Sequence, residues 1–119
     1  MQKSWLKSYP EGVPEYIDVE EFDSVTDIFE TSVEKFADLP AYSNFGKTIS
    51  YSEVDAYTAQ LASYLKFELG LEKGDRVGVM MPNLLQNPIA IFGILRAGLV
   101  VVNTNPLYTT RELKHQMND

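Results

Sequence analysis

GDRVGVMMPNLLQNPIAIFGILRAGLVVVNTNPLYTT, residues 74–110, decides the fold class of this chain. Arg76–Met81 is a short, mostly apolar run opened by a Gly-Asp turn. Leu84–Ala97 is too long for a strand and stops at Gly98. Leu99–Asn103 is β-branched and is closed by Asn105-Pro106. Strands buried on both faces read as continuous apolar runs rather than as alternation. The stretch is therefore expected to form a parallel βαβ unit of an α/β protein. A parallel sheet needs more strands and more covering helices than the flanking residues supply. The expectation is an incomplete part of a larger enzyme.

The remainder of the 119 residues is consistent with a globular chain. An apolar fraction of 45% argues against disorder, and the length is that of one domain. Seventeen acids against ten bases give a net charge of -7, which favours solubility and disfavours nucleic acid as a partner. The acids crowded between Glu15 and Glu34 read as solvated surface. There is no cysteine, so disulfides, thiolate metal sites and thiol nucleophiles are excluded. MQKSWLKSYPEG at the start has neither the apolar core nor the cleavage site of a secretory signal. Ile89–Val102 is interrupted by Arg96 and two glycines, and is shorter than the roughly 20 residues a spanning helix needs. A cytoplasmic location is expected.

Residues 1–23 read as an N-terminal arm with Pro10, Gly12 and Pro14 and no period. A helix follows with Ser24 as its N-cap and Asp27 three positions on. Its apolar stripe is Val25, Ile28, Phe29, Val33, Phe36 and Ala37. Ala41–Phe45 and Thr48–Tyr51 flank Gly46-Lys47, which predicts a hairpin with a type II′ turn. A second helix is expected from Ser52, with Val54, Tyr57, Leu61, Leu65 and Leu69 as its stripe and Gly70 in the left-handed position after it. Two starts are open for the crossover helix. Either Asn83 caps it with Gln86, or Asn87 caps it and Pro88 takes the first turn. Thr109 and Glu112 form a capping box for a last helix.

No residue set assembles a catalytic site. Gly70, Gly74 and Gly78 lack the spacing and the strand–turn–helix context of a phosphate-binding loop. His115 reads as a solvated histidine, Glu20-Glu21 define no carboxylate pair, and Ser24 and Ser52 read as caps. Arg96 falls in the last turn of an apolar helix, where a cation offsets the helix dipole. Trp5, Leu6 and Tyr9 with Lys3 and Lys7 suit a headgroup layer, although an arm packed on its own protein or on a second subunit is the favoured reading.

ISYSEVDAYTAQLASYLKFELGLEKGDRVGVMMPN (49–83) and GILRAGLVVVNTNPLYTTREL (93–113) together resemble the opening of the adenylate-forming acyl-CoA synthetases. The family's landmarks stand in order across Thr48–Leu113, and within the family NPLYTTREL is most similar to bacterial long-chain fatty acid–CoA ligases. The resemblance implies that residues 24–119 begin the large N-terminal, AMP-binding domain of a parent several times longer. That parent would use ATP, coenzyme A and Mg2+ to activate a fatty acid, and would meet the membrane peripherally. The family's phosphate loop, adenine contacts and C-terminal lysine lie beyond Asp119. No catalytic, cofactor-binding or metal residue is therefore assigned here, and the piece alone is expected to be inactive. The alternatives are another acyl- or aryl-activating enzyme of the family, or a non-catalytic interaction domain. Apolar sheet edges left bare are expected to drive self-association.

Overall fold

Ser24, in extended conformation, accepts the amide of Asp27 through its hydroxyl and so starts α1 (Val25–Phe36). The computed structural model describes residues 3–119. The first two residues of the arm lie outside the described residues. The carboxylate of Asp27 bonds the amide of Asp23 rather than that of Ser24, so the reciprocal half of a capping box falls one residue early. Before α1, a 3-10 turn (Ser4–Ser8) interrupts the arm, and Lys3 bonds Glu15 and Tyr16. Ile17 and Val19 stand 85% exposed. A compact chain of this length has a radius of gyration of about 13–14 Å. The observed value is 17.7 Å, and residues 7–21 of the arm are exposed.

After α1, strands β1 (Pro40–Asn44) and β2 (Lys47–Ser50) pair antiparallel, with Asn44 opposite Lys47. That register makes the two-residue loop Phe45-Gly46, not Gly46-Lys47. Both loop residues have positive φ, 47° and 77°, as a type I′ turn requires. The expected type II′ turn needs glycine first, and here glycine is second. Pro40 opens β1 at a position where a strand tolerates a missing donor.

Helix α2 (Tyr51–Ser63) begins one residue before the expected cap. Ser50 is the N-cap, and it exchanges hydrogen bonds with Glu53 in a full capping box. Ser50-x-x-Glu53 outcompetes Ser52 because the glutamate returns a second bond. The helix ends in a π-turn (Tyr64–Glu68), and Gly70 at φ 66° closes it, with the Leu71 amide reaching Leu65 O. The buried face is Val54, Thr58 and Leu65, with Leu61 and Ala62 beside them. Tyr57 and Leu69, expected on that stripe, are 44% and 53% exposed.

The parallel unit forms as expected. β3 (Arg76–Val79) and β4 (Val100–Asn103) pair in register from Arg76–Val100 to Val79–Asn103, and α3 (Gln86–Arg96) crosses between them. Neither expected cap starts α3. Leu85 is the N-cap and makes no side-chain bond. Pro88 is the third helical residue, a position whose N–H has no intrahelical acceptor, so the proline costs no hydrogen bond there. Helix α4 (Thr110–Asn118) carries the expected Thr109–Glu112 capping box.

Two apolar clusters meet along α3. One joins Leu65, Val79, Ile94, Ala97 and Leu99. The other joins Phe29, Ile49 and Val54, with Phe92 stacked on Phe29 at 4.4 Å between ring centroids. Beyond its place in the last turn of α3, Arg96 reaches across to α2. Its Nη1 donates to Asp55 O (3.0 Å), Asp55 Oδ1 (2.8 Å) and Thr58 Oγ1 (2.8 Å). Its Nε lies 3.4 Å from Glu30 on α1, and the guanidinium carbon lies 5.7 Å from the centre of the Phe29 ring. One side chain thus holds three helices.

Three variants test this packing. Arg96→Met is expected to lose about 1–3 kcal/mol in urea unfolding, since Asp55 and the buried Thr58 lose a charged donor while partial exposure tempers the cost. A loss below about 0.3 kcal/mol would make the clamp ornamental. A Cβ at Gly93 would stand 2.8–3.1 Å from Leu61 Cδ2, Cγ and Cβ. Overpacking costs about 1–3 kcal/mol against about 1 kcal/mol of helix propensity gained, so Gly93→Ala should lower the melting temperature, and a rise would refute the close approach. Phe45→Asn removes a left-handed bulky residue and should add about 0.5–1 kcal/mol, whereas a destabilised hairpin would contradict the type I′ turn.

Candidate functional site

Parallel α/β sheets present their ligand crevices at the carboxyl ends of the strands. Here that end is built from Met80–Leu85 after β3 and residues 104–109 after β4. The Thr104 amide donates to Val79 O (3.0 Å), which extends the ladder one residue beyond β4, and Thr104 is 5% exposed. Asn105 then makes a turn, its Oδ1 accepting the Leu107 amide and its carbonyl accepting the Tyr108 amide. Thr109 starts α4, and its hydroxyl and amide both donate to Glu112 Oε2 at 2.7 Å. Those two bonds, the hydroxyl's first, hold the Glu112 carboxyl below the usual range. Gln116 Nε2 returns to Asn103 O (3.0 Å) and ties α4 to the end of β4, and a side chain added at Gly78 would meet the Met117 methyl group.

Beside this end, an open groove of about 450 Å3 separates the hairpin from the start of α3. Its floor is Leu84, Leu85, Pro88, Ile91 and Phe92, and its rim is Tyr42, Asn44, Asn83 and Asn87. Asn44 Nδ2 donates to Asn83 O (2.6 Å) and so ties the rim across the groove. Burial of Tyr42, with Tyr51 near it, raises the Tyr42 phenol above its ordinary range. A second groove of about 520 Å3 lies along β2, α2 and α3, between Lys47, Tyr57, Leu61 and Ile89.

The residues singled out in the sequence do not converge on either groove. Ser24 and Ser50 cap helices, and the Ser52 hydroxyl meets that of Ser50 at 3.0 Å. Glu20 turns its amide onto Asp18 in the arm. His115 is exposed on α4 with Arg111 and Glu112. Among the described residues no three acidic or histidine side chains gather as metal ligands would. Gly70 and Gly74 serve a helix end and a turn with positive φ, and Gly78 lies within β3. These residues do not fit a nucleotide phosphate or a divalent ion. The groove at the hairpin was missed by motif reading. Its trace in the sequence is Val77–Leu95, nineteen residues without a charge in a chain that is 23% charged.

The AMP-binding enzyme family model matches residues 29–119. A long-chain-fatty-acid–CoA ligase of Escherichia coli is 53% identical over all 119 residues, which span 21% of its length. Among solved structures, the Klebsiella oxytoca NpsA N-terminal subdomain in complex with 3-hydroxyanthranilyl-AMSN superposes with a TM-score of 0.76 at 25% identity. That match covers 80% of this chain and 24% of the NpsA chain. A long-chain-fatty-acid-CoA ligase of Archaeoglobus fulgidus gives a TM-score of 0.68 at 30% identity, over 77% of this chain and 20% of that one. With a family model that covers three quarters of its residues and an α/β scaffold shared with both structures, this chain belongs to the AMP-binding enzyme family.

Proposed function

We propose that this chain is the front of the large domain of an AMP-forming long-chain fatty acid–CoA ligase, with residues 1–23 as an arm and 24–119 as the start of the domain. The observation that carries the reading is the 53% identity sustained along the entire chain. The whole enzyme joins a fatty carboxylate to the AMP moiety of ATP with release of pyrophosphate. It then passes the acyl group to the thiol of coenzyme A with release of AMP. A magnesium ion would neutralise the triphosphate. The residues described here supply the parallel scaffold. No catalytic, nucleotide-binding or metal-binding role is assigned to them, and the chain by itself is inactive in this reading. A cytoplasmic enzyme that touches the membrane peripherally fits the same proposal. Trp5 is 53% exposed between Lys3 and Lys7, while no described helix is long and apolar enough to cross a bilayer.

The similarity to NpsA favours a second reading, an aryl-activating enzyme. Its 25% identity is about half that of the Escherichia coli fatty acid–CoA ligase, so the first reading is preferred. Extending the chain to the length of its relatives and measuring acid-dependent exchange of pyrophosphate into ATP separates the two. Exchange with a long-chain fatty acid, none with an aryl acid and none from the 119-residue chain is the expected result. Exchange with aryl acids alone would move the protein to the second reading, and exchange by the short chain would overturn its assigned inactivity.

A further inference from the structure

β3 turns alternate backbone groups toward β4. The Val100 amide donates to Asp75 O (2.8 Å) and the Thr104 amide to Val79 O (3.0 Å), and the register sets Val77 beside Val101. In a parallel ladder every second residue of a strand bonds the same neighbour. The N–H and C=O of Gly78, between Val77 and Val79, therefore point to the other edge of β3. Among the described residues no strand pairs with that edge. An inner parallel strand has both rows of backbone groups bonded, so the question is which segment takes this row.

The faces of the parallel pair answer it. Val79 is buried with Ile94 of α3, and Val77 and Val101 pack on the same cluster, so α3 covers that face. Side chains alternate across a strand, and a Cβ at Gly78 would point to the opposite face. There it would stand 3.8 Å from the Met117 methyl carbon. The last turn of α4 is thus on the face away from α3 and reaches β3, while Gln116 Nε2 holds Asn103 O of β4.

Crossovers between parallel strands of one sheet are right-handed in about 98% of cases. Through α3, on one face, such a crossover carries the chain sideways from β3 to β4. Through α4, on the opposite face, a crossover of the same hand carries it sideways in the reverse direction. β3 already stands beside β4 on that side, so the next place is the free edge of β3. The reach of Met117 toward Gly78 points the same way.

We propose that the first strand after α4 in the longer chain pairs parallel with the free edge of β3 and makes β3 an inner strand. The inference rests on reading the 119 residues, 21% of the length of the Escherichia coli ligase, as the front of a larger domain. Inner parallel strands are buried on both faces, so the segment that seats here is a short, continuous apolar run. Its seat leaves β3, not β4, between two neighbours.

A crystal structure of the chain extended to its relatives' length, with hydrogen exchange read at single amides, tests it. The expected structure has the first strand after α4 parallel to β3, accepting the Gly78 amide and donating to the Gly78 carbonyl. The Gly78 amide should then exchange about 100-fold or more slowly than in the 119-residue chain. A first strand seated on the free edge of β4, or running antiparallel to β3, overturns the proposal. So does a β3 edge filled by a later segment, or left bare with Gly78 exchanging equally fast in both chains. A Gly78 amide already protected in the 119-residue chain also overturns it, because the edge would not be free. Strand order is read whichever acid the enzyme activates, so pyrophosphate exchange reports separately on the proposed function.

Discussion

Arg96 is the constraint on which the helical layer depends. Its guanidinium takes a carbonyl, a carboxylate and a hydroxyl from one turn of α2, leans on Glu30 of α1 and covers Phe29. Thr58 is fully buried, and its hydroxyl spends its own proton on Asp55 O while accepting from Arg96. A buried hydroxyl needs at least one partner, and here both of its roles are filled. Without the arginine, Thr58 keeps only its bond to Asp55 O.

That pin lets α3 serve two cores. Toward the parallel strands it gives Ile94 and Ala97, and toward the hairpin and α1 it gives Phe92 and Ile89. Gly93 sits between these faces and admits Leu61 of α2 so closely that no other residue fits without displacement. The hairpin is held by this second core through Ile49, and this sets where its tip and the neighbouring groove stand relative to α3.

In the proposed reading, this arrangement is a scaffold. The parallel pair fixes the direction of the sheet, α4 is tied to its carboxyl end by the Gln116–Asn103 hydrogen bond, and the grooves lie on the flanks. No described side chain is spent on chemistry in this reading. Ile17 and Val19 of the arm and the ring of Phe45 stand almost fully exposed.

The sequence alone determined the parallel βαβ unit, because the apolar runs at 76–81 and 99–103 and the helix between them are continuous and bounded by Gly and Pro. It also determined the Ser24 and Thr109 caps and the closure at Gly70, each set within a few residues of chain. Local signals failed where two similar ones competed, as at Ser50 against Ser52, or where register decided, as at Phe45-Gly46. Moving the hairpin loop by one residue exchanges its turn type, and only pairing across the strands selects the register. Tertiary structure alone brought Arg96 to Asp55 and Thr58, 41 and 38 residues away in sequence, and set the uncharged stretch after β3 against the hairpin. Such contacts are absent from any local pattern, because they depend on how helices cross and not on which residues form them.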